Sequence, residues 1–251
     1  MTSIQLSYGN GTLLLEGELN GAPPQGFQYD PRVSAYRAPA DCYREAFAQL
    51  HLEYGSRLED KARGYMPLEI SFRGNRTPYH YQGEAAEAWH KGGRRGLIVL
   101  PTGSGKTFVA EMIIDAVCRS TLIVVPTLDL MNQWYTRLLA SFEITEVGLI
   151  GGGYYDVQGL TVTTYDSFSI HAEKLGDRFG FLIFDECHHL PGPSYSLSSQ
   201  CYLAPFRLGL TATPEREEGL GVYQRIVGDL LYRREIKELA GSHLAQYHTE
   251  K

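Results

Sequence analysis

The segment that most constrains the fold is the glycine-rich stretch LPTGSGKT, residues 100–107, which joins an apolar run to a helical pattern. We predict a strand over Gly96–Leu100 and a helix over Lys106–Cys118. A glycine-rich turn at a helix start directs several backbone N–H groups to one point, where the helix dipole also attracts negative charge. The segment therefore predicts a strand, a phosphate-binding loop and a helix, in that order.

This loop carries the residue types that bind a nucleoside triphosphate. Lys106 can reach the β- and γ-phosphates, and the Thr107 hydroxyl can ligate Mg²⁺. The backbone of the loop is supplied by Thr102, Gly103, Ser104 and Gly105. The usual pattern G-x-x-x-x-G-K-[ST] is not met in full, because Leu100 occupies the first glycine position. The alternative is a chance glycine turn before a helix, and the strand–turn–helix context argues against it.

From about Gln82 onward, short apolar runs alternate with helical patterns. Further strands are predicted at 121–125, 160–163, 181–184 and 206–210, and a further helix at 128–142. Strands buried on both faces read as continuous apolar runs, and alternating strands and helices build a parallel sheet that helices cover. The pattern predicts an α/β fold with a parallel sheet flanked by helices.

The first part of the chain, residues 1–75, has a different pattern. Apolar and polar residues alternate up to the turn Gly9–Gly11, which is typical of a hairpin. Asp41 is the expected N-cap of a helix that runs to about Tyr54. We therefore expect a small α+β domain at 1–75, followed by the α/β domain at 76–251.

Composition excludes several classes of protein. With 43% hydrophobic and 21% charged residues, the chain is neither disordered nor collagen-like. It has no apolar run of about 18 residues and no secretory signal, so neither a membrane partner nor secretion is expected, and the expected location is cytoplasmic. The four cysteines are far apart, which argues against a disulfide framework or a structural zinc site. The net charge of −6 excludes a wholly basic surface but not a local basic groove.

A second motif, FLIFDECHHL at 181–190, places two adjacent carboxylates at the end of an apolar strand. In phosphate-loop enzymes such an aspartate holds Mg²⁺, a role that suits Asp185, and Glu186 is then placed to deprotonate the attacking water. One alternative is a solvated strand end. The other is a metal site at Cys187–His189, which the spacing disfavours because adjacent residues cannot all point inward.

The third motif, RLGLTATPEREE at 207–218, leads a strand into Thr211-Ala212-Thr213, whose hydroxyls can bond phosphate or a neighbouring carboxylate. Alone it would be a polar turn. In this order, the three motifs resemble those of the first RecA-like lobe of superfamily 2 helicases. The phosphate loop of that family reads P-T-G-x-G-K-T, which accounts for Leu100.

Four segments narrow the resemblance to XPB-type helicases: VVPTLDLMNQW at 124–134, TTYDSF, FDECHHLPGPSY and FRLGLTATPEREE. The resemblance implies an ATP-dependent 3′-to-5′ DNA helicase or translocase that acts in DNA unwinding and nucleotide excision repair. It implies ATP and Mg²⁺ as cofactors and double-stranded, bubble or damaged DNA as the partner, with a nuclease or repair protein as a further partner. Residues 1–75 would be the damage-recognition-like domain.

The same resemblance implies roles for individual residues. Tyr81-Gln82 is similar to the adenine-reading Q motif, so Gln82 is expected to contact adenine. Residues expected to contact nucleic acid or to couple the two sites are Thr127, Thr164, Tyr165, His188, Thr211 and Thr213. The family's Arg-Glu-Asp motif, associated with opening DNA, corresponds to Arg216, Glu217 and Glu218. The final Asp is here a Glu, which keeps the charge and lengthens the side chain.

A helicase of this type works with a second RecA-like lobe that supplies arginine fingers. The chain stops at Lys251, so we expect it to be the N-terminal half of a longer protein and nearly inactive alone. The alternative is a naturally split or truncated gene product. Two other hypotheses stay open. One is the motor lobe of another DNA-tracking ATPase, of the restriction or phage type. The other is a nucleotide-binding fragment without turnover.

Overall fold

The computed structural model describes residues 3–190, 192–212 and 220–235. The described residues form two sheets, one of five strands near the N-terminus and one of eight strands that follows it. Thr213, Arg216, Glu217 and Glu218 lie outside the described residues.

The N-terminal sheet is mostly antiparallel. Its strands are β1 (Ile4–Gly9), β2 (Thr12–Glu16), β3 (Gln28–Asp30), β4 (Ala35–Pro39) and β5 (Leu58–Lys61). They lie in the order β3-β4-β2-β1-β5, and only the pair β1–β5 is parallel among these described strands. The predicted hairpin is β1–β2, in which Asn10 and Gly11 adopt the positive φ that such a turn requires.

One helix, α1 (Tyr43–Tyr54), covers this sheet and packs apolar side chains on the inward-facing residues of β1 and β2. The expectation that Asp41 caps this helix is wrong. Residues Ala40–Cys42 form a 3₁₀ turn ahead of the helix, and Cys42 takes the N-cap position. The prediction that the helix ends at about Tyr54 is confirmed, and Gly55 follows as its C-cap.

The second sheet is parallel except at one edge. Its strands are β6 (Arg95–Val99), β7 (Thr121–Val125), β8 (Gly148–Gly151), β9 (Tyr154–Tyr155), β10 (Leu160–Thr164), β11 (Phe181–Asp185), β12 (Phe206–Thr211) and β13 (Leu230–Arg233). They lie in the order β13-β6-β12-β11-β7-β10-β8-β9, with β9 antiparallel to β8. The predicted α/β fold with a parallel sheet is confirmed, and its apolar runs are buried strands.

Helices cover both faces of this sheet. They are α2 (His80–Lys91), α3 (Lys106–Val117), α4 (Leu128–Ser141), α5 (Tyr165–Ile170), α6 (Ala172–Leu175), α7 (Pro193–Ser199) and α8 (Leu220–Ile226). Side chains of α2, α3 and α4 share one apolar cluster with the sheet, and those of α5, α6 and α8 share another. No helix in the described ranges is long and apolar enough to cross a lipid bilayer.

The two sheets are joined by direct contacts. The Tyr8 hydroxyl donates to the carbonyl of Cys201 (3.0 Å), and Arg44 on α1 donates to the carbonyl of Gly93 (2.7 Å). After β5, the connecting chain runs along the larger sheet's helices and makes an isolated bridge between Phe72 and Phe142. The predicted boundary near residue 75 falls in this connection, just before α2.

Candidate nucleotide-binding site

Three sequence motifs meet at one edge of the larger sheet. Strand β12 lies between β6 and β11, and all three run in the same direction. The glycine-rich loop follows β6, Asp185 ends β11, and Thr211 ends β12. Parallel sheets bind ligands in the crevice at the carboxyl ends of their strands. The structure therefore brings together three motifs that are well separated in the chain.

The glycine-rich loop is shaped by backbone conformations that favour glycine. Gly103 and Gly105 have φ values of 79° and 80°, and a Cβ added at Gly105 would come within 2.5 Å of the Gln82 amide. Ser104 is buried and its hydroxyl donates to the carbonyl of Pro101 (2.7 Å), while Thr102 is exposed. Helix α3 begins at Lys106, directly after the turn, as a phosphate-binding loop requires.

The Lys106 side chain lies between this loop and the acidic motif. Its Nζ donates to the carbonyl of Leu100 (3.3 Å) and is 3.9 Å from Oε1 of Glu186. A phosphate group entering the same space would meet an ammonium that is already directed there. Electrostatic attraction between Lys106 and Glu186 also keeps these two groups close across the crevice.

Asp185 is 6% exposed, and each of its carboxylate oxygens accepts one hydrogen bond. Oδ2 accepts from the indole Nε1 of Trp134 (2.8 Å) and Oδ1 from the backbone N–H of Glu186 (3.0 Å). Burial raises the pKa of Asp185, and the bond from Trp134 opposes that rise. A nearby cation, whether Lys106 or a metal ion, favours the charged form that a metal ligand needs.

Glu186 has an uncommon backbone conformation, with φ at 48° and ψ at 50°. Non-glycine residues in this left-handed region store strain and cluster at functional sites. The conformation turns the chain sharply after β11, so that the half-exposed carboxylate of Glu186 faces Lys106 while Asp185 stays buried. The two adjacent carboxylates therefore have different surroundings, which suits two different tasks.

The oxygen atoms at this site fit a nucleotide-bound magnesium ion. Asp185 offers a carboxylate and Thr107 a hydroxyl, and Mg²⁺ is usually held by one or two carboxylates together with substrate phosphates. Within residues 3–190, 192–212 and 220–235, no group of three or more His, Cys, Asp or Glu side chains could hold a metal ion without such help. The alternative of a metal site at Cys187–His189 gains no support, and Cys187 is buried in the core.

His188 connects the acidic motif with the end of β12. Its Nδ1 is 3.3 Å from the hydroxyl of Thr211 and 3.4 Å from Oε2 of Glu186. This arrangement matches the coupling role expected of His188 and Thr211, which stays a prediction. Thr213, expected beside them, lies outside the described part of the chain.

Gln82, on α2, is bound to the phosphate loop. Its Nε2 donates to the carbonyl of Ser104 (2.9 Å), which also accepts from the Tyr81 hydroxyl (2.7 Å). Its Oε1 accepts from the backbone N–H of Tyr79 (3.0 Å). Tyr81 and Gln82 thus fasten α2 to the loop, and contact between Gln82 and adenine stays a prediction.

Three of the residues expected to contact nucleic acid or to couple the two sites, Thr127, Thr164 and Tyr165, lie at or just after the ends of β7 and β10, which lie beyond β11 in the sheet. Thr127 caps α4 and Thr164 caps α5, each accepting a hydrogen bond from the backbone N–H three residues later. The side chain of Tyr165 is only 2% exposed and its hydroxyl donates to the carbonyl of Asp185 (3.2 Å), which disfavours side-chain contact with nucleic acid, while a coupling role stays a prediction. Its side chain therefore belongs to the core and supports the acidic motif instead of facing nucleic acid.

Two residues at the site were not identified from the sequence. Trp134 is buried, and its N–H binds Asp185. Glu111, inside the apolar pattern of α3, is fully buried and paired with Arg76 and Arg137. A buried indole needs a hydrogen-bond acceptor, and a buried carboxylate needs a cation. A tryptophan or a glutamate at an apolar position of a helix pattern is therefore the sequence signal for such a buried pair.

Comparisons with known proteins show which families the chain resembles. The family described as type III restriction enzyme, res subunit, matches residues 75–216, and the xeroderma pigmentosum group B helicase damage recognition domain matches residues 6–62. The chain is 41% identical, over 99% of its length, to the DNA 3′-5′ translocase XPB2 of Sulfurisphaera tokodaii. It is 33% identical, over 68% of its length, to the DNA 3′-5′ helicase XPB of Mycobacterium tuberculosis.

Among solved structures, the UvsW helicase of bacteriophage T4 shares the fold, with a TM-score of 0.55 at 17% identity. That match covers 92% of this chain and 100% of the other. By contrast, the chain spans 55% of the XPB2 translocase and 33% of the mycobacterial helicase. It thus corresponds to about half or less of each of these two sequence relatives.

Proposed function

Given that the chain belongs to the superfamily 2 helicases of the XPB type, we propose that it forms the damage-recognition-like domain and the ATP-binding lobe of an ATP-dependent DNA 3′-5′ helicase or translocase. The observation that carries the proposal is the convergence of Lys106, Asp185 and Glu186 at one sheet edge. The work of such a protein would be DNA unwinding in nucleotide excision repair, in the cytoplasm beside the nucleoid.

The chemistry follows from the position of each group. Lys106 and the backbone N–H groups of the loop bind the phosphates, and they stabilise the charge that develops during transfer of the terminal phosphoryl group. Glu186 orients the attacking water and accepts its proton, which needs a carboxylate within hydrogen-bond reach of that water. The ammonium of Lys106 lies 3.9 Å from Oε1 of Glu186, so the group that binds phosphate and the group that accepts the proton face the same space.

Thr107 and Asp185 would hold the Mg²⁺ ion. When bound, such an ion neutralises negative charge on the phosphate oxygens. The buried Asp185 is held by two N–H donors, so its carboxylate is already oriented before nucleotide arrives. Pre-orientation of this kind lowers the entropy cost of binding.

DNA would lie along the edge formed by the ends of β7 and β10. Thr127 and Thr164 stand at the starts of α4 and α5, where β7 and β10 end, and β7 is the neighbour of the strand that carries Asp185. In this proposal a DNA strand lies next to the nucleotide site, along the same sheet. Binding that depends on phosphate contacts should weaken steeply as salt is added.

Replacement of Lys106 tests the nucleotide site. We expect Lys106→Ala to weaken binding of a fluorescent ATP analogue roughly 10- to 150-fold, because a hydrogen bond to a charged group contributes about 1.5–3 kcal/mol. Lys91→Ala is the matched control, since Lys91 is an exposed lysine paired only locally with Glu87. Equal affinity of the Lys106 variant and the control would show that Lys106 does not bind the phosphates.

A second candidate function is the motor lobe of a DNA-tracking ATPase of the restriction or phage type. The match of residues 75–216 to the type III restriction enzyme family favours it. The two candidates differ in the DNA that they should prefer. Tighter binding to bubble or damaged duplex than to intact duplex of the same sequence supports the repair function, and equal binding to both supports the alternative.

Residues Arg216, Glu217 and Glu218 are proposed to act on DNA. They come after the nucleotide-binding motifs in the sequence, and the motif that they correspond to is associated with opening DNA. Alanine at all three positions should therefore leave DNA-stimulated ATP hydrolysis intact and impair unwinding, when the chain is joined to a second RecA-like lobe. Parallel assays of phosphate release and strand separation measure the two effects. A matching fall in both activities would instead indicate a structural role for this segment.

A further inference from the structure

The indole of Trp134 is the side-chain donor that binds Asp185. The two residues are 51 positions apart, and Nε1 of Trp134 lies 2.8 Å from Oδ2 of Asp185. Because the backbone N–H of Glu186 takes the other oxygen, rotation of the carboxylate would break one of two hydrogen bonds. A carboxylate has about four lone-pair sites, so these bonds leave others for a metal ion or its water ligands.

Helix α4, which carries Trp134, is also held by hydrogen bonds to the buried carboxylate of Glu111. Glu111 on α3 accepts from Nε of Arg137 (2.6 Å) and from the hydroxyl of Ser141 (2.7 Å), and both donors belong to α4. Arg137 lies three residues after Trp134, which puts the two side chains on neighbouring positions of the helix surface. Helix α4 is therefore fixed to the phosphate-loop helix at one point and to the acidic motif at another.

Trp134 also lines a cavity together with Thr107, the second residue that would hold the metal. A cavity of about 250 Å³ is lined by Thr107, Leu130, Gln133, Trp134 and Arg137. Thr107 therefore faces the same space as the helix that orients Asp185. Both of the residues assigned to the metal are thus next to the Trp134 face of α4.

Resting on the proposed function of the site, we propose that Trp134 is a positioning residue for metal-dependent nucleotide binding. Its indole N–H keeps the Asp185 carboxylate in the orientation that receives Mg²⁺. Groups that hydrogen-bond a metal ligand typically alter metal affinity about 10- to 100-fold when they are removed. Trp134 acts through Asp185 and touches neither nucleotide nor metal.

The chain offers a matched control for removing this N–H. Trp89 is the other tryptophan, is fully buried, and donates its Nε1 to the backbone carbonyl of Arg207 (2.9 Å). Trp134→Phe and Trp89→Phe therefore delete the same donor from the same kind of environment. Only the first deletion leaves Asp185 without its side-chain partner.

The experiment titrates Mg²⁺ against each variant in the presence of a fluorescent ATP analogue, and repeats the nucleotide titration in EDTA. We expect Trp134→Phe to raise the half-saturating Mg²⁺ concentration about 10-fold or more. Trp89→Phe should leave it unchanged, and metal-free nucleotide affinity should be the same in all three proteins. The positioning role would be overturned if the half-saturating Mg²⁺ concentration shifted equally in both variants or in neither. It would also be overturned if Trp134→Phe lost as much nucleotide affinity in EDTA as it does with Mg²⁺.

A measurement on the unaltered chain covers the case in which Trp134→Phe does not fold. The indole N–H signals of Trp89 and Trp134 can be followed by NMR while Mg²⁺ is added to the nucleotide-saturated protein. We expect the Trp134 signal to move and the Trp89 signal to stay, and two unmoved signals would overturn the proposal. If the unaltered chain binds no nucleotide at all, the proposed function fails first, and the two failures are thus distinguishable.

Discussion

A polypeptide of these 251 residues should bind ATP yet hydrolyse it about 10³- to 10⁵-fold more slowly than it does together with a second RecA-like lobe. The physical reason is charge. In the part of the chain that the structure describes, the cation beside Asp185 and Glu186 is Lys106, which binds phosphate in the ground state as well. An arginine supplied from another lobe stabilises charge that develops only in the transition state.

Steady-state phosphate release, with and without DNA, measures this difference. The polypeptide alone should turn over far below the roughly 10 s⁻¹ typical of enzymes and show little stimulation by DNA. Adding the second lobe of an XPB relative, fused to the chain or as a separate protein, should restore both properties. Turnover near that typical rate by the polypeptide alone, with stimulation by DNA, would mean that one lobe suffices.

Glu186→Gln should abolish most ATP hydrolysis by the chain when it is joined to a second RecA-like lobe, while leaving ATP binding nearly intact. Glutamine is close in size to glutamate but cannot accept a proton from water, and general-base catalysis contributes about 10²- to 10⁴-fold to rate. The backbone strain at Glu186 is unaffected by this change, because both side chains impose the same steric demand on φ. Affinity and rate should therefore respond separately.

The assay compares ATP-analogue affinity and phosphate release for Glu186→Gln and for Glu146→Gln. Glu146 is an exposed glutamate before β8, so its replacement controls for loss of one surface charge. We expect normal affinity in both variants and loss of turnover only in the first. Turnover at the unaltered rate in Glu186→Gln would remove Glu186 from the role of base.

The predictable part of the fold is its buried parallel strands. Residues 121–125, 160–163 and 181–184 are predicted within a residue of the strands observed, because central strands are apolar on both faces and the sequence shows this directly. Strand β5 is different. It pairs with β1 across more than 40 positions, and its sequence LEDK carries no apolar run, so nothing local indicates it.

The candidate site likewise has features that the sequence predicts and features that it does not. The order of Lys106, Asp185 and Thr211 at strand ends is enough to predict their grouping, because parallel strands end at one edge of the sheet. The inward turn of Tyr165 and the bond from Trp134 to Asp185 depend on which side chains meet between layers. Residue spacing in the sequence does not specify those contacts.

The most direct test of the nucleotide site is to count bound metal ions. Mn²⁺ prefers the same oxygen ligands as Mg²⁺, and its free concentration can be read from electron paramagnetic resonance. With ATP present, we expect one Mn²⁺ ion per chain, with far weaker binding when ATP is left out or when Asp185 is replaced by Asn. Binding of Mn²⁺ that is indifferent to both ATP and Asp185 would contradict a metal–nucleotide site between the phosphate loop and the acidic motif.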